Sequence, residues 1–270
     1  MIILNGEIIA PEHFPDGTQK IEILNSWCDA NDDTHQWIKW FYENDAELFT
    51  LYCTVQHVRN FNAKAHLSLY LSYVPNARMD RVHYESEVFT LKHFATFINS
   101  LNFDRVSIFD PHSNVSSALF DRCTVINPYC YCSKAAQACK PDFIFYPYEG
   151  AMKRYNSIIR ANKPITFGMK KREWTTGEIK GLDIFGDTDA LKDAKVLIID
   201  DICSRGGTFY HSANKLKELG AKEIYLYVSH CEDTIHEGEL LKDNGLIERI
   251  YTTDSIVNRR ESEKIEVIKR

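Results

Sequence analysis

The sequence predicts an α/β protein built from two mainly parallel sheets, each flanked by helices. Three observations carry that expectation. Short apolar strands alternate with amphipathic helical segments along the chain, the pattern of parallel βαβ construction. The strands end in polar clusters, and the C-terminal strand ends are where open α/β sheets bind ligands. One segment, Val196 to Thr208, joins a strand, two adjacent carboxylates, a glycine loop and a helix start in a single run.

Met1 to Ala10 is predicted as an opening strand, followed by a turn at Phe14-Pro-Asp-Gly17, whose residues favour a β-turn. Trp27 to Asn44 is predicted helical and Leu48 to Gln56 a strand. Leu67 to Val74, apolar and rich in strand formers, predicts another strand before a polar loop from Pro75 to Glu87. Phe89 to Asn102 is read as a helix with Leu91, Phe94, Ala95, Phe97, Ile98 and Leu101 facing a core. A strand from Asp104 to Phe109 ends at Asp110-Pro-His-Ser113, and one from Asp142 to Tyr146 ends at Pro147-Tyr-Glu-Gly150. Ile165 to Met169, Lys195 to Ile199 and Glu223 to Val228 add strands. Phe209, Ala213, Leu216 and Leu219 share one face of a helix that Gly220 stops. A boundary is expected near residue 140, giving domains 1–140 and 141–270, with the last strand packing back on the first half.

Hydrophobic residues make up 44% and charged residues 26%, as in ordinary globular proteins. The net charge of −6 argues against a surface that coats nucleic acid. No apolar run reaches membrane-spanning length, and Met1-Ile-Ile-Leu-Asn5 lacks the basic start and long apolar core of an export signal, so a cytoplasmic location is expected. Cys130, Cys132 and Cys139 cluster, but their spacing is poor for tetrahedral zinc. Free, buried thiols are expected for these and for the other cysteines.

The chemistry of Val196 to Thr208 suits a sugar phosphate. Asp200 and Asp201 can accept hydrogen bonds from two vicinal ribose hydroxyls. Ser204, Arg205, Gly206, Gly207 and Thr208 offer amides, hydroxyls and a guanidinium to a phosphate at a helix N-terminus. This loop resembles the phosphoribosyl-pyrophosphate loop of type I phosphoribosyltransferases and of phosphoribosyl-pyrophosphate synthetases.

Further matches narrow the resemblance. Tyr73-Val-Pro-Asn-Ala-Arg-Met-Asp-Arg81 is followed by a predicted helix and then by Asp110-Pro-His-Ser113, with Phe14-Pro-Asp-Gly17 ahead of both. In order and spacing these are similar to motifs of the ribose-phosphate pyrophosphokinases (phosphoribosyl-pyrophosphate synthetases), as is Thr252-Thr-Asp-Ser-Ile256. The resemblance covers nearly the whole chain and implies two type I phosphoribosyltransferase-like domains. It implies ATP-dependent transfer of a diphosphoryl group to the anomeric hydroxyl of ribose 5-phosphate, with Mg²⁺ as cofactor. Phe14, Asp16, Arg78, Asp80 and His112 then fall at ATP-contacting positions, His112 also at a metal-contacting one. Lys170 and Arg172 fall in a mobile catalytic loop, Gly168 to Glu173, placed to meet charge developing on the phosphates. The family lends its adenine pair from a neighbouring subunit, so a homo-oligomer with intersubunit ATP sites is expected, with no nucleic acid or membrane partner.

Four departures bear on the function. Thr18 replaces an acidic residue, Met79 a glutamine, and Tyr148 an aspartate implicated in metal binding, for which Glu149 next door is the available stand-in. Arg205 replaces a small uncharged residue. Its planar fork of donors opens a larger acceptor such as ADP-ribose as an alternative substrate. A phosphoribosyltransferase is disfavoured because it needs neither the Arg78/Asp80 and His112 set nor the Lys170/Arg172 pair. A non-catalytic regulator of a synthetase is disfavoured by those same intact residues together with Asp200 and Asp201.

Overall fold

The structure is a computed structural model and describes residues 1–28, 35–156, 163–172, 179–186, 188–242, 246–256 and 262–269. The chain divides into two compact units. One comprises residues 1–126 with Ser255 and Ile256, and the other begins at Asn127.

In the first unit, β1 (Ile2–Leu4) and β2 (Glu7–Ile9) form a hairpin rather than one opening strand, with Leu4 opposite Glu7. The two linking residues, Asn5 and Gly6, have φ of 50° and 101°, the left-handed pair that a tight hairpin demands and Asn-Gly supplies. A second small hairpin, β3 (Glu12–His13) and β4 (Gln19–Lys20), carries the Phe14–Gly17 turn, closed by the Gly17 N–H donating to the Phe14 carbonyl at 2.8 Å. There follow β5 (His35–Trp40), α1 (Glu47–Phe61), β6 (His66–Leu71), α2 (Thr90–Ser100), β7 (Arg105–Phe109), α3 (Asn114–Leu119) and β8 (Cys123–Ile126). The sheet runs β2-β1-β5-β6-β7-β8, with β5 to β8 parallel.

Two expectations are overturned here. The segment predicted as a helix, Trp27 to Asn44, contains strand β5, and the segment predicted as a strand, Leu48 to Gln56, lies inside α1. In β5 the buried positions are Gln36, Ile38 and Trp40, while Trp37 faces outward at 39% exposure. A buried amide and an exposed indole invert the apolar alternation on which strand recognition depends. In α1 the buried residues Thr50, Leu51, Thr54, Val55 and Val58 follow a helical period. Exposed Phe49 and Tyr52 obscure that stripe, and the β-branched residues lend it strand character. The Thr54 hydroxyl donates to the Thr50 carbonyl at 2.8 Å, satisfying a buried polar group within the helix.

The second unit comprises α4 (Tyr129–Cys139), β9 (Phe143–Tyr146), α5 (Glu149–Tyr155), β10 (Ile165–Arg172), β11 (Ile179–Phe185), β12 (Lys195–Cys203), α6 (Gly207–Glu218), β13 (Glu223–Cys231), β14 (Arg249–Thr253) and β15 (Ile265–Ile268). Its sheet runs β11-β10-β9-β12-β13-β14-β15, parallel except for β11. Strand parity divides its core. Phe143, Phe145, Val196, Ile198, Ile224 and Leu226 pack with Phe209, Ala213 and Leu216 of α6. Ile144, Tyr146, Leu197, Ile199 and Tyr227 pack on the other face with Cys132, Ala135 and Cys139 of α4 and with Ala151 and Tyr155 of α5.

This packing explains where the unit starts. Helix α4 contributes its cysteine-bearing face to the second core, so the structural division falls at Ile126/Asn127 and not near residue 140. The last strand, β15, pairs with β14 in the second sheet and does not return to the first half. What joins the first unit instead is Ser255, whose carbonyl accepts a hydrogen bond from the Ser72 hydroxyl at 2.7 Å. All eight cysteines are free thiols, with Cys132 and Cys139 buried and Cys130 exposed on α4.

Candidate active site

The strand order of the second sheet determines where its site lies. From β9 the chain first builds outward through β10 and β11, then returns to lay β12 against the other side of β9. The connections therefore diverge between β9 and β12, and the C-terminal strand ends at such a reversal are the usual ligand position in these sheets. Tyr148 follows β9 there, and Asp200 and Asp201 lie in the last turns of β12.

Both aspartates are buried, at 4% and 1% exposure. The Tyr148 hydroxyl donates to Asp200 Oδ1 at 2.8 Å, and the Asp201 backbone N–H donates to the same oxygen at 3.0 Å. Arg154, on α5, brings its guanidinium to 3.6 Å from Asp201 Oδ2. Burial pushes the Asp200 carboxyl well above the usual carboxylate range, the adjacent Asp201 adds to that, and the Tyr148 hydrogen bond partly offsets it. Burial and the same two carboxylates push the Tyr148 phenol upward, so it remains a neutral donor.

The loop that follows is locked from one side by residues 232–240. The Ser204 hydroxyl bonds the Glu232 carboxylate, which also accepts from Thr234 at 3.4 Å. Arg205 extends outward, 74% exposed, with its Nε and Nη2 at 3.0 and 2.9 Å from Glu237 Oε2. Gly206 has φ of 77°, and a Cβ there would lie 2.3 Å from Leu240 Cδ1. At Gly238 a Cβ would lie 1.9 Å from the Arg205 carbonyl oxygen, so two backbones meet with no space for a side chain. Gly207 opens α6 beside open space, and Thr208 follows it in the first turn. The loop therefore presents backbone amides at a helix N-terminus beside two buried carboxylates, an arrangement suited to a phosphate and a polyhydroxylated sugar.

Glu149 does not take the aspartate's place in this cluster. It opens α5 and pairs with Lys153 at 2.7 Å, 55% exposed, while Tyr148 reaches Asp200. Arg154, Glu232 and Glu237 were not singled out from sequence. Glu232 had a readable signal, since it directly follows β13 at a polar strand end.

Lys170 and Arg172 lie on β10, opposite Leu182 and Ile179 of β11, with a register shift between Lys171 and Arg172. The expected catalytic loop is thus the outer part of a strand as far as Arg172. The side chains of Lys170 and Arg172, and Glu173, lie outside the described residues.

The remaining candidates lie in the first unit. Arg78 is exposed and Asp80 half-buried in the loop after β6, with Arg81 Nε at 2.9 Å from Asp80 Oδ1. Burial raises the Asp80 carboxyl, but Arg81, then Ser113 and His112, outweigh it and hold the group below the usual range. His112 follows Asp110, a buried residue with φ of 40° at the end of β7. Phe14 is 51% exposed on its hairpin. Asp16 Oδ1 accepts from the Thr18 hydroxyl at 2.7 Å and from the Thr18 N–H at 2.9 Å, which lower its pKa. Thr18, a departure from the family pattern, therefore completes the turn that holds Asp16.

Among the described residues, no group of three or more His, Cys, Asp or Glu side chains is arranged to hold a metal. A cation at Asp80 or His112 would have to draw its remaining ligands from water and substrate phosphates, as Mg²⁺ commonly does. No helix among the described residues is long and apolar enough to cross a membrane.

The fold is of the type I phosphoribosyltransferase-like class, with two α/β units. Its structure superimposes on phosphoribosylpyrophosphate synthetase from Mycobacterium smegmatis with a TM-score of 0.76, at 18% identity, covering 97% of this chain and 86% of that one. The sequence is 27% identical over 257 residues to the ribose-phosphate pyrophosphokinase of Saccharolobus solfataricus, spanning 94% of this chain and 87% of that protein. The enzyme of the same name from Thermococcus kodakarensis is 25% identical over 256 residues, with 94% and 86% covered. No protein-family profile matches the chain. Over nearly its whole length the chain is similar to the ribose-phosphate pyrophosphokinases, from which it diverges in sequence.

Proposed function

We propose that the protein transfers the β,γ-diphosphoryl group of ATP to the anomeric hydroxyl of ribose 5-phosphate, giving phosphoribosyl pyrophosphate and AMP. The observation that carries this reading is the buried Asp200–Asp201 pair beside the Gly206–Gly207 helix start, at the point where the strand order reverses. Ribose hydroxyls donate to the carboxylates, while the 5-phosphate takes the amides of residues 204–208.

In the transfer, the anomeric oxygen forms a bond to the β-phosphorus and the bond from that phosphorus to the α,β-bridging oxygen breaks. AMP leaves with that oxygen, and the hydroxyl proton passes to solvent. Lys170 and Arg172 are the proposed cations for the phosphate oxygens as charge redistributes. Arg78, Asp80, Phe14 and Asp16 are the proposed ATP contacts. Mg²⁺, with His112 and Asp80 as proposed ligands, would neutralise phosphate charge when bound with the nucleotide.

Arg205, the basis of the ADP-ribose alternative, is engaged by Glu237 at the rim of the loop, and this favours the smaller acceptor. Product identification with Mg-ATP and either ribose 5-phosphate or ADP-ribose tests both. Phosphoribosyl pyrophosphate and AMP are expected from ribose 5-phosphate. AMP release with ADP-ribose alone would overturn the choice of acceptor, and release with neither would overturn the activity.

A further inference from the structure

Two adjacent buried carboxylates call for a cation or for a retained proton on one of them. Here protein donors surround the pair. Asp200 Oδ1 already receives the Tyr148 hydroxyl and the Asp201 N–H, and Arg154 lies beside Asp201 Oδ2. The phenol is held by its neighbours as well as by this bond. It follows β9 directly, precedes α5 and packs against the aromatic face of the second core. A Cβ on Gly150 would lie only 3.3 Å from the ring carbons Cδ2 and Cε2 of Tyr148, so glycine at 150 leaves the ring its place. The adjacent carboxylate, Glu149, points elsewhere and pairs with Lys153.

We propose that Tyr148 is a positioning residue which, with Arg154, fills the place of a divalent cation at the Asp200–Asp201 pair, so that this half of the site takes a ribose 5-phosphate without metal. With Oδ1 occupied by two fixed donors, the Asp200 carboxyl is held at one rotation against the Asp201 side chain, and the pair is presented together to the ribose hydroxyls. Divalent metal is then needed by the nucleotide half of the reaction alone. The inference rests on the acceptor assigned under the proposed function and adds how that acceptor is held.

Titration calorimetry of metal-stripped protein with ribose 5-phosphate, in EDTA and again in excess Mg²⁺ without ATP, tests it. The dissociation constant is expected to agree within about twofold between the two conditions. Tyr148→Phe, which keeps the ring and removes the donor, is expected to weaken ribose 5-phosphate about tenfold, in line with a hydrogen bond to a charged group. The same variant should leave the affinity for inorganic phosphate, which needs only the 204–208 loop, within about twofold. Binding seen only with Mg²⁺ would overturn the proposal, as would an unchanged affinity in Tyr148→Phe. Equal losses for ribose 5-phosphate and inorganic phosphate would show that Tyr148 merely supports the fold. Absence of ribose 5-phosphate binding in both conditions would instead remove the acceptor reading itself, and this inference with it.

Discussion

The two units use similar sheets to different ends. In the second, the strand order reverses between β9 and β12, and the polar groups at those strand ends are buried and hydrogen-bonded to one another. In the first, parallel strands β5 to β8 follow one another without reversal, and the candidate residues sit on loops and a hairpin. Phe14 is half exposed, Arg78 is exposed, and the Arg81 side chain is 70% exposed. The contrast separates a preorganised polar cluster from a set of groups that are mostly open to water. Preorganisation lowers the cost of binding, so the acceptor half is expected to have a defined shape before substrate arrives. The nucleotide half is expected to depend on what its ligand brings.

The sharpest way to break that contrast is Lys170→Ala. It should reduce AMP formation by about 10³-fold or more if Lys170 meets transition-state charge, while ribose 5-phosphate affinity stays unchanged. Turnover near the wild-type rate would remove Lys170 from the mechanism.

Asp200→Asn should come next, with turnover down about 10²-fold and stability up by about 1 kcal/mol, the trade-off of a buried functional charge. The sign follows from the raised Asp200 pKa. The folded protein holds that proton more tightly than the unfolded chain, whose carboxyl titrates near about 3.9. The stability this confers is complete below that value and is lost as pH rises through the folded pKa. Thermal melts of the wild type should carry this downward contribution over that window, and Asp200→Asn should remove it. An identical pH slope in both proteins would contradict the buried, raised carboxyl.

Gly206→Ala and Gly207→Ala separate shape from ligand contact. The first meets Leu240 in a left-handed conformation and should cost about 1–3 kcal/mol in denaturant unfolding. The second points into open space and should leave stability within about 0.5 kcal/mol, yet weaken phosphate binding by crowding the helix start. Equal destabilisation in both would contradict the loop geometry.

The smallest effect is expected in the first unit. Arg81→Ala removes the exposed partner of Asp80, whose own side chain is only 10% exposed, and should cost no more than about 1 kcal/mol at neutral pH. Its ATP KM is the quantity to measure. A several-fold rise would bring the Asp80–Arg81 loop into the nucleotide site, whereas no change would leave it a solvated surface pair.

Much of the second unit was legible because its chemistry and its hydrophobicity agree. Val196 to Ile199 are apolar, both faces of the sheet are covered, and the carboxylates come where the strand ends. The first unit hides its pattern. Buried Gln36, whose amide oxygen accepts a hydrogen bond from Asn5, occupies a position where an apolar residue would announce a strand. The Asn5-Gly6 turn, between the apolar runs Met1 to Leu4 and Ile8 to Ala10, was a readable hairpin signal that the single-strand reading passed over. At the site, Tyr148 was visible only as a missing aspartate. Its bond to Asp200 joins residues far apart in the chain, and no local pattern encodes that meeting.

The contact between Gly238 and the Arg205 carbonyl carries a practical consequence. Residues 200–208 look like a portable cassette, yet their backbone interlocks with a segment some thirty residues downstream at a glycine that tolerates no Cβ. Grafting the loop alone onto a related scaffold would set it against whatever side chain stood at that downstream position. A chimera that exchanges acceptor preference therefore has to transplant 232–240 together with the loop.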